Sequence, residues 1–196
     1  MASKNIAELL EGNKIFQNSN KDFKDLLKGQ NPSFVIVACS DSRVTPSILL
    51  NSKLGEIFEI RTAGNTIGDI ETGSIEYAVE HLGTKNIMIL AHTNCGAVRE
   101  AQKLFDIKIR KEIESKKEQT SLEKLALGIY QNISRDSSNR EDDTKAAIDN
   151  AFVQKEELKK SEIIKRHLEN GSLKLYIGLY DMASGNIEII NEEGKP

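Results

Sequence analysis

Apolar residues in this chain follow two rhythms. Over residues 2–30, Ile6, Leu9, Leu10, Phe16, Phe23, Leu26 and Leu27 recur in groups at helical spacing, which predicts a helical arm. From residue 33 onward the apolar residues gather into short unbroken runs. Phe34-Val35-Ile36-Val37 lies within 33–38, Ile57-Phe58-Glu59-Ile60-Arg61 follows, and Ile87-Met88-Ile89-Leu90 lies within 86–91. Runs of this length bounded by turn residues read as buried strands. Helical signals stand between them. Thr45-Pro46 predicts a short helix with Thr as N-cap and Pro in its first turn. Residues 72–82 place Ile75, Ala78, Val79 and Leu82 on one face, and Gly83 ends that segment. Ala63-Gly64-Asn65 closes the second strand, and Gly96 begins a further helix.

Strand and helix therefore alternate, which predicts a parallel sheet with right-handed crossovers. Residues 106–167 read as mostly helical and highly charged, with 111–117 and 135–143 as solvated faces or loops. The segments 173–180 and 186–190, joined through Ala183-Ser184-Gly185, predict a terminal hairpin whose antiparallel pair lies at the sheet edge. The arm precedes the first strand and carries apolar surface that its own subunit need not cover. Packing across a dimer is one solution.

Composition narrows the picture. A chain of 196 residues is most simply one domain. Its expected parts are an arm at 1–30, an α/β core with the candidate site at 31–105, a helical region at 106–170 and terminal strands at 171–196. Hydrophobic residues at 38% suffice for a core, and with aromatics at 5% and no Trp that core must be aliphatic. A net charge of −3 points to no nucleic-acid partner. No apolar run follows Met1 and no stretch is long enough to span a bilayer, so the expectation is a cytoplasmic chain with no membrane partner. Two Cys in that setting are not expected to form a structural disulfide.

The candidate chemistry sits at two strand ends. Ala38-Cys39-Ser40-Asp41-Ser42-Arg43 follows the first strand and His92-Thr93-Asn94-Cys95-Gly96 the third. Parallel strands would deliver both runs to one edge of the sheet, where ligands of such folds collect. Two thiols and an imidazole are a donor set that zinc favours, and three protein ligands leave the fourth position of a tetrahedron open, as in catalytic rather than structural sites. Taken without their surroundings, two Cys 56 residues apart read more readily as inert core residues than as ligands. Asp41 and Arg43 alone read as a surface ion pair worth about 0–1 kcal/mol. Beside two candidate thiolates, Arg43 can instead keep Asp41 ionised and aimed at a water on the metal.

These runs closely resemble the β-class carbonic anhydrases. The likeness extends through Gly29-Gln30-Asn31-Pro32, Ala38 to Val44, Gly55-Glu56-Ile57-Phe58, Arg61-Thr62-Ala63-Gly64-Asn65, Ile75-Glu76-Tyr77-Ala78-Val79 and His92 to Val98, weakens in the middle helices and returns at Gly178-Leu179-Tyr180-Asp181. The resemblance implies a three-layer α/β/α fold whose mixed sheet has a parallel core, in an obligate homodimer or a higher even-numbered oligomer, with the arm on the partner subunit. It implies one zinc ion per chain on Cys39, His92 and Cys95, with Asp41 and Arg43 as catalytic dyad. Gln30 would donate a side-chain hydrogen bond to the substrate and Gly96 a backbone one, while Phe58, Ala63 and Tyr77 would line the apolar pocket for carbon dioxide. The implied activity is reversible hydration of carbon dioxide to bicarbonate and a proton. Thr62 stands where the family usually has Asn, and Ala91 where Gly often precedes the His. One branch has a bicarbonate-inhibited site built on a Trp where this chain has Ile36, so that site is expected to be missing. His81 and His167 read as surface residues. Two other readings stay open: hydrolysis of carbonyl sulfide or carbon disulfide on the same scaffold, and a non-enzymatic thiol sensor in which Cys39 and Cys95 form a reversible disulfide.

Overall fold

Two compact units, 1–30 and 31–196, make up the computed structural model, which describes residues 4–19, 23–138 and 142–191. Parts of the expected arm (2–3 and 20–22), of the charged stretch 135–143 (139–141) and of the tail (192–196) lie outside the described residues. The first unit holds helices α1 (Ile6–Ser19) and α2 (Phe23–Leu26), neither with a buried residue. Asn5 opens α1 through a reciprocal pair of bonds: its side chain accepts from the amide of Glu8, whose carboxylate accepts the amide of Asn5. The rings of Phe16 and Phe23 lie 5.6 Å apart.

In the second unit, β1 (Phe34–Cys39), α3 (Pro46–Leu49), β2 (Ile57–Thr62), α4 (Asp69–Leu82), β3 (Asn86–His92) and α5 (Gly96–Gln102) succeed one another. After them come α6 (Ile107–Glu114), α7 (Ser121–Asn132), α8 (Thr144–Leu158), α9 (Glu162–Glu169), β4 (Lys174–Tyr180) and β5 (Ile187–Ile190). The sheet order is β2-β1-β3-β4-β5; β1 runs parallel to β2 and β3, β3 parallel to β4, and β4 antiparallel to β5. This is a three-layer α/β fold with a mixed sheet and a parallel core.

Because side chains alternate across a strand, each strand feeds two cores. Val35, Val37, Cys39, Ile87, Ile89 and Ala91 pack with Ile75 and Ala78 of α4, Val98 of α5, Ile129 of α7, Ala147 and Ala151 of α8 and Ile164 of α9. On the other face Ile36, Ala38, Met88, Leu90 and Tyr180 pack with Val44 and with Leu49 of α3. Burying each such Val or Ile stabilises by about 1.5–3 kcal/mol over leaving it exposed. The unbroken apolar runs of β1 and β3 follow from this burial on both faces.

Some boundaries move. α4 begins at Asp69 rather than 72, because the Glu71 carboxylate accepts the amide of Gly68 at 2.9 Å and so satisfies a donor ahead of the first turn. Gly83 ends it in the left-handed conformation, φ 69°. The Thr45 hydroxyl makes no capping bond, and α3 lasts four residues. The expectation of a solvated surface fails at two positions of 135–143: Ser137 and Asp143 are both 2% exposed, because hydrogen bonds draw them inward. None of the described helices is long and apolar enough to cross a membrane.

Candidate metal centre

The parallel register brings the two motifs together. Ala38 stands beside Leu90 on adjacent strands, so β1 ends at Cys39 next to where β3 ends at His92. Cys39, His92 and Cys95 each offer a ligand atom within 4.8 Å of the others, and all three are buried. The two sulfurs lie 4.0 Å apart, far beyond a covalent S–S bond of about 2.05 Å and close to the spacing of about 3.8 Å expected between two thiolates on a tetrahedral zinc.

The imidazole supplies the test of fit. Its Nδ1 lies 2.9 Å from the carbonyl oxygen of Thr93, which fixes the proton on that nitrogen. Nε2 has no hydrogen-bond partner, and the residue is 0% exposed. A buried ring nitrogen left with a bare lone pair is costly unless something binds it. A soft dication between two sulfurs and this nitrogen would satisfy it, so the residues present fit a zinc ion.

The sulfurs differ. The neighbouring Cys95 thiol lowers the pKa of Cys39 despite burial, with smaller help from the His92 imidazole and from the amide of Gly64, which donates to the Cys39 sulfur at 3.3 Å. Cys95 is pushed up, first by the neighbouring Cys39 and then by burial. Metal binding must therefore displace the Cys95 proton, the usual coupling at thiolate sites. Gly64 can serve here because φ 69° suits glycine, and a Cβ at this position would stand 2.7 Å from Cδ1 of Ile129.

Asp41 lies outside this ligand group, because Arg43 takes its carboxylate. Nε of Arg43 donates to Oδ1 at 2.9 Å, Nη2 to Oδ2 at 2.7 Å, and the Arg43 amide to Oδ1 at 3.0 Å. These bonds hold the Asp41 carboxyl down to about 2. Arg61 braces the same loop, donating to the carbonyl oxygens of Cys39 and Asp41.

The remaining expected site residues divide. Ala63 and Gly96 share an apolar cavity of about 300 Å³ with Ala97, Glu100, Leu122, Leu125 and Ala126. Phe58 and Tyr77 do not line it; their rings lie 6.4 Å apart, Phe58 half-buried and Tyr77 exposed. Gln30 belongs to the first unit and is exposed. His81 is exposed and stacks near Tyr77, while His167 bonds Ser172 and Glu80.

Three residues of the middle helices were not singled out and touch the site loops. Asp143 accepts the amides of Asn94 at 2.8 Å and of Cys95 at 2.5 Å. Asn150 donates to the carbonyl oxygen of Gly64 at 2.8 Å, and Gln154 accepts the amide of Ile67 at 2.7 Å. All three project from one flank of α8 or the residue before it, among Ala146, Ala147, Ala151 and Leu158. Polar residues set in an apolar helical stripe are the signal that could have found them.

A family model described as carbonic anhydrase matches residues 34–187. A carbonic anhydrase of Synechococcus elongatus is 29% identical over 197 residues, covering 93% of this chain and 70% of that protein. One from Synechocystis sp. is 30% identical with the same coverage of each. Among solved structures, the β-carbonic anhydrase CcaA superposes with a TM-score of 0.76 at 25% identity, covering 95% of both chains.

Proposed function

The chain belongs to the β-class carbonic anhydrases, and we propose on that premise that it is a zinc enzyme interconverting carbon dioxide and bicarbonate. Cys39, His92 and Cys95 hold one zinc ion per chain. The observation that carries this reading is the buried, partnerless Nε2 of His92 beside two thiols. Bound zinc supplies a Lewis acid that makes water a nucleophile near neutral pH.

Two thiolates and a neutral imidazole cancel the charge of a dication, so neighbouring groups must carry more of the acid–base work. Asp41 accepts a hydrogen bond from the attacking water and so points an oxygen lone pair at the substrate carbon. Arg43 keeps that carboxylate ionised and prevents it from turning onto the metal. Its two-pronged hold, with a carboxyl at about 2, supports this role. Carbon dioxide has no charge and needs chiefly an apolar shelter. The cavity beside Ala63 and Gly96 supports such a shelter, and Phe58 and Tyr77, which stand outside that cavity, form a separate apolar pair. The side chain of Gln30 and the amide of Gly96 donate to the oxygen that gains charge during attack. With Ile36 in place of Trp, bicarbonate acts as product alone.

The working form is a homodimer or a higher even-numbered assembly. Ile6, Leu9, Leu10 and Ile15 of α1 are each more than half exposed, which supports burial of that helix against a second copy. Thiolate ligands suit a reducing compartment, in keeping with the cytoplasm. The test is stopped-flow hydration of carbon dioxide with zinc content measured on the same sample. Catalysis without zinc, or zinc without catalysis, would overturn the reading.

A further inference from the structure

We infer that Asp143 is a positioning residue of this centre: through the single peptide unit joining Asn94 to Cys95 it sets both the Cys95 sulfur and the Arg43 fork. The inference rests on reading Cys39, His92 and Cys95 as the metal ligands.

Asp143 stands immediately before the first turn of α8, where an aspartate ordinarily caps its own helix. Here it does not. Asp142 takes that duty, accepting the amide of Thr144 at 2.9 Å. Asp143 instead reaches across 48 positions of sequence and receives two amides, Asn94 on Oδ1 and Cys95 on Oδ2. It is 2% exposed. Burying a carboxylate is unfavourable unless it is paired and hydrogen-bonded. Nε of Arg99, 3.4 Å from Oδ2, completes the compensation.

The Asn94–Cys95 peptide is planar, and its N–H and C=O point in opposite directions. The N–H of Cys95 ends on Asp143, and the C=O of Asn94 accepts Nη2 of Arg43 at 3.2 Å. One rigid plane is thus held at one end by Asp143 and at the other by the guanidinium that aims Asp41. Tilting it moves the Cys95 Cα and the acceptor for Arg43 together. Asn94 itself has φ 58°, a conformation non-glycine residues enter rarely, so the turn needs outside support. Asp143 holds its amide and Arg99 holds its side-chain oxygen at 2.6 Å.

The experiment uses the full-length protein and Co(II), whose absorption bands report thiolate ligation and coordination geometry. Wild type, Asp143→Asn, Arg99→Gln and Asp149→Asn are compared for Co(II) affinity by chelator competition and for the spectrum of the bound ion. Asp149→Asn is the control, a carboxylate on α8 that braces the 134–137 turn and does not bond the site loops. Asp143→Asn should lose roughly 10–100-fold in affinity, the usual consequence of removing a group that orients a ligand, and should shift the Co(II) bands. Arg99→Gln should move both readouts the same way by less, and Asp149→Asn neither. A wild type that takes up no Co(II) sinks the metal reading itself. A wild type that binds, with Asp143→Asn matching it in affinity and spectrum, sinks this inference alone. If Asp143→Asn does not fold, Arg99→Gln decides, and wild-type behaviour there overturns the inference.

Discussion

Arg43 and Asp41 face each other across one residue, and the guanidinium covers both carboxylate oxygens at 2.7 and 2.9 Å. A pair this close in sequence forms without waiting for distant contacts, and at 16% exposure the aspartate is mostly out of solvent. Arg43→Ala should keep its zinc and lose most of its activity, on the order of 10–100-fold, because nothing else then holds the carboxylate away from the metal. Metal analysis beside stopped-flow rates checks this. Wild-type turnover in the variant would remove Arg43 from the mechanism.

The ligand set makes a simpler claim. Purified protein should carry close to one zinc per chain, and Cys39→Ser or Cys95→Ser should each lose most of it, since thiolates are two of the three protein ligands. Elemental analysis of both variants gives the answer, and full zinc content in the two of them would rule this centre out.

Gln30 should matter to turnover and not to metal. Deleting a preorganised donor costs about 10²–10³ in rate at the strongest sites. A smaller loss in kcat/KM is expected for Gln30→Ala, because the metal carries most of the developing charge. An unchanged kcat/KM excludes Gln30 from the site.

Asp149 is one of the carboxylates expected to make stability depend on pH. Burial alone would raise its pKa, but bonds from Ser137, from the amide and hydroxyl of Ser134 and from Lys145 outweigh burial and hold it below the usual carboxylate range. A folded pKa below the unfolded one stabilises above about pH 4, and that stability is lost as pH falls through the folded value. Urea unfolding of wild type and Asp149→Asn should therefore differ at pH 6 and converge as the pH is lowered below 4. A gap that persists or widens in acid contradicts this account.

Gly64→Ala should destabilise by about 1–2 kcal/mol from its left-handed backbone alone, which corresponds to a Tm loss of roughly 2–8 °C for a chain of this size. Adding Ile129→Ala removes the 2.7 Å contact but leaves the backbone strain, so the double variant should not recover wild-type stability. Differential scanning calorimetry of both proteins measures it.

The centre was legible because strand ends are legible. Val35 and Val37 precede Cys39 and Ile89 precedes His92 in short apolar runs bounded by turn residues, the pattern of buried strands, and parallel neighbours present their carboxyl ends at one edge of the sheet. Asp143 was not legible because it stands in a stretch crowded with charges, where the ordinary meaning of a charge is solvent. What marks it is redundancy: Asp142 and Asp143 are two capping carboxylates ahead of a helix that uses one. Asn150 and Gln154 were hidden differently, as amides whose value depends on the loop they meet some 87 residues away in sequence. The start of α4 escaped because its cap comes from the third residue in and not from the side chain at the N-cap itself.

The order in which these pieces leave the ribosome has a consequence of its own. Cys39, His92 and Cys95 are all synthesised before the chain reaches Asp143, which lies 48 residues beyond Cys95. At about 5–20 residues per second that interval is roughly 2–10 s. A nascent chain would thus hold a complete set of donors on a turn not yet clamped from behind. On the positioning role inferred for Asp143, metal captured in that interval would be held more weakly than in the finished fold, and docking of α8 would tighten it.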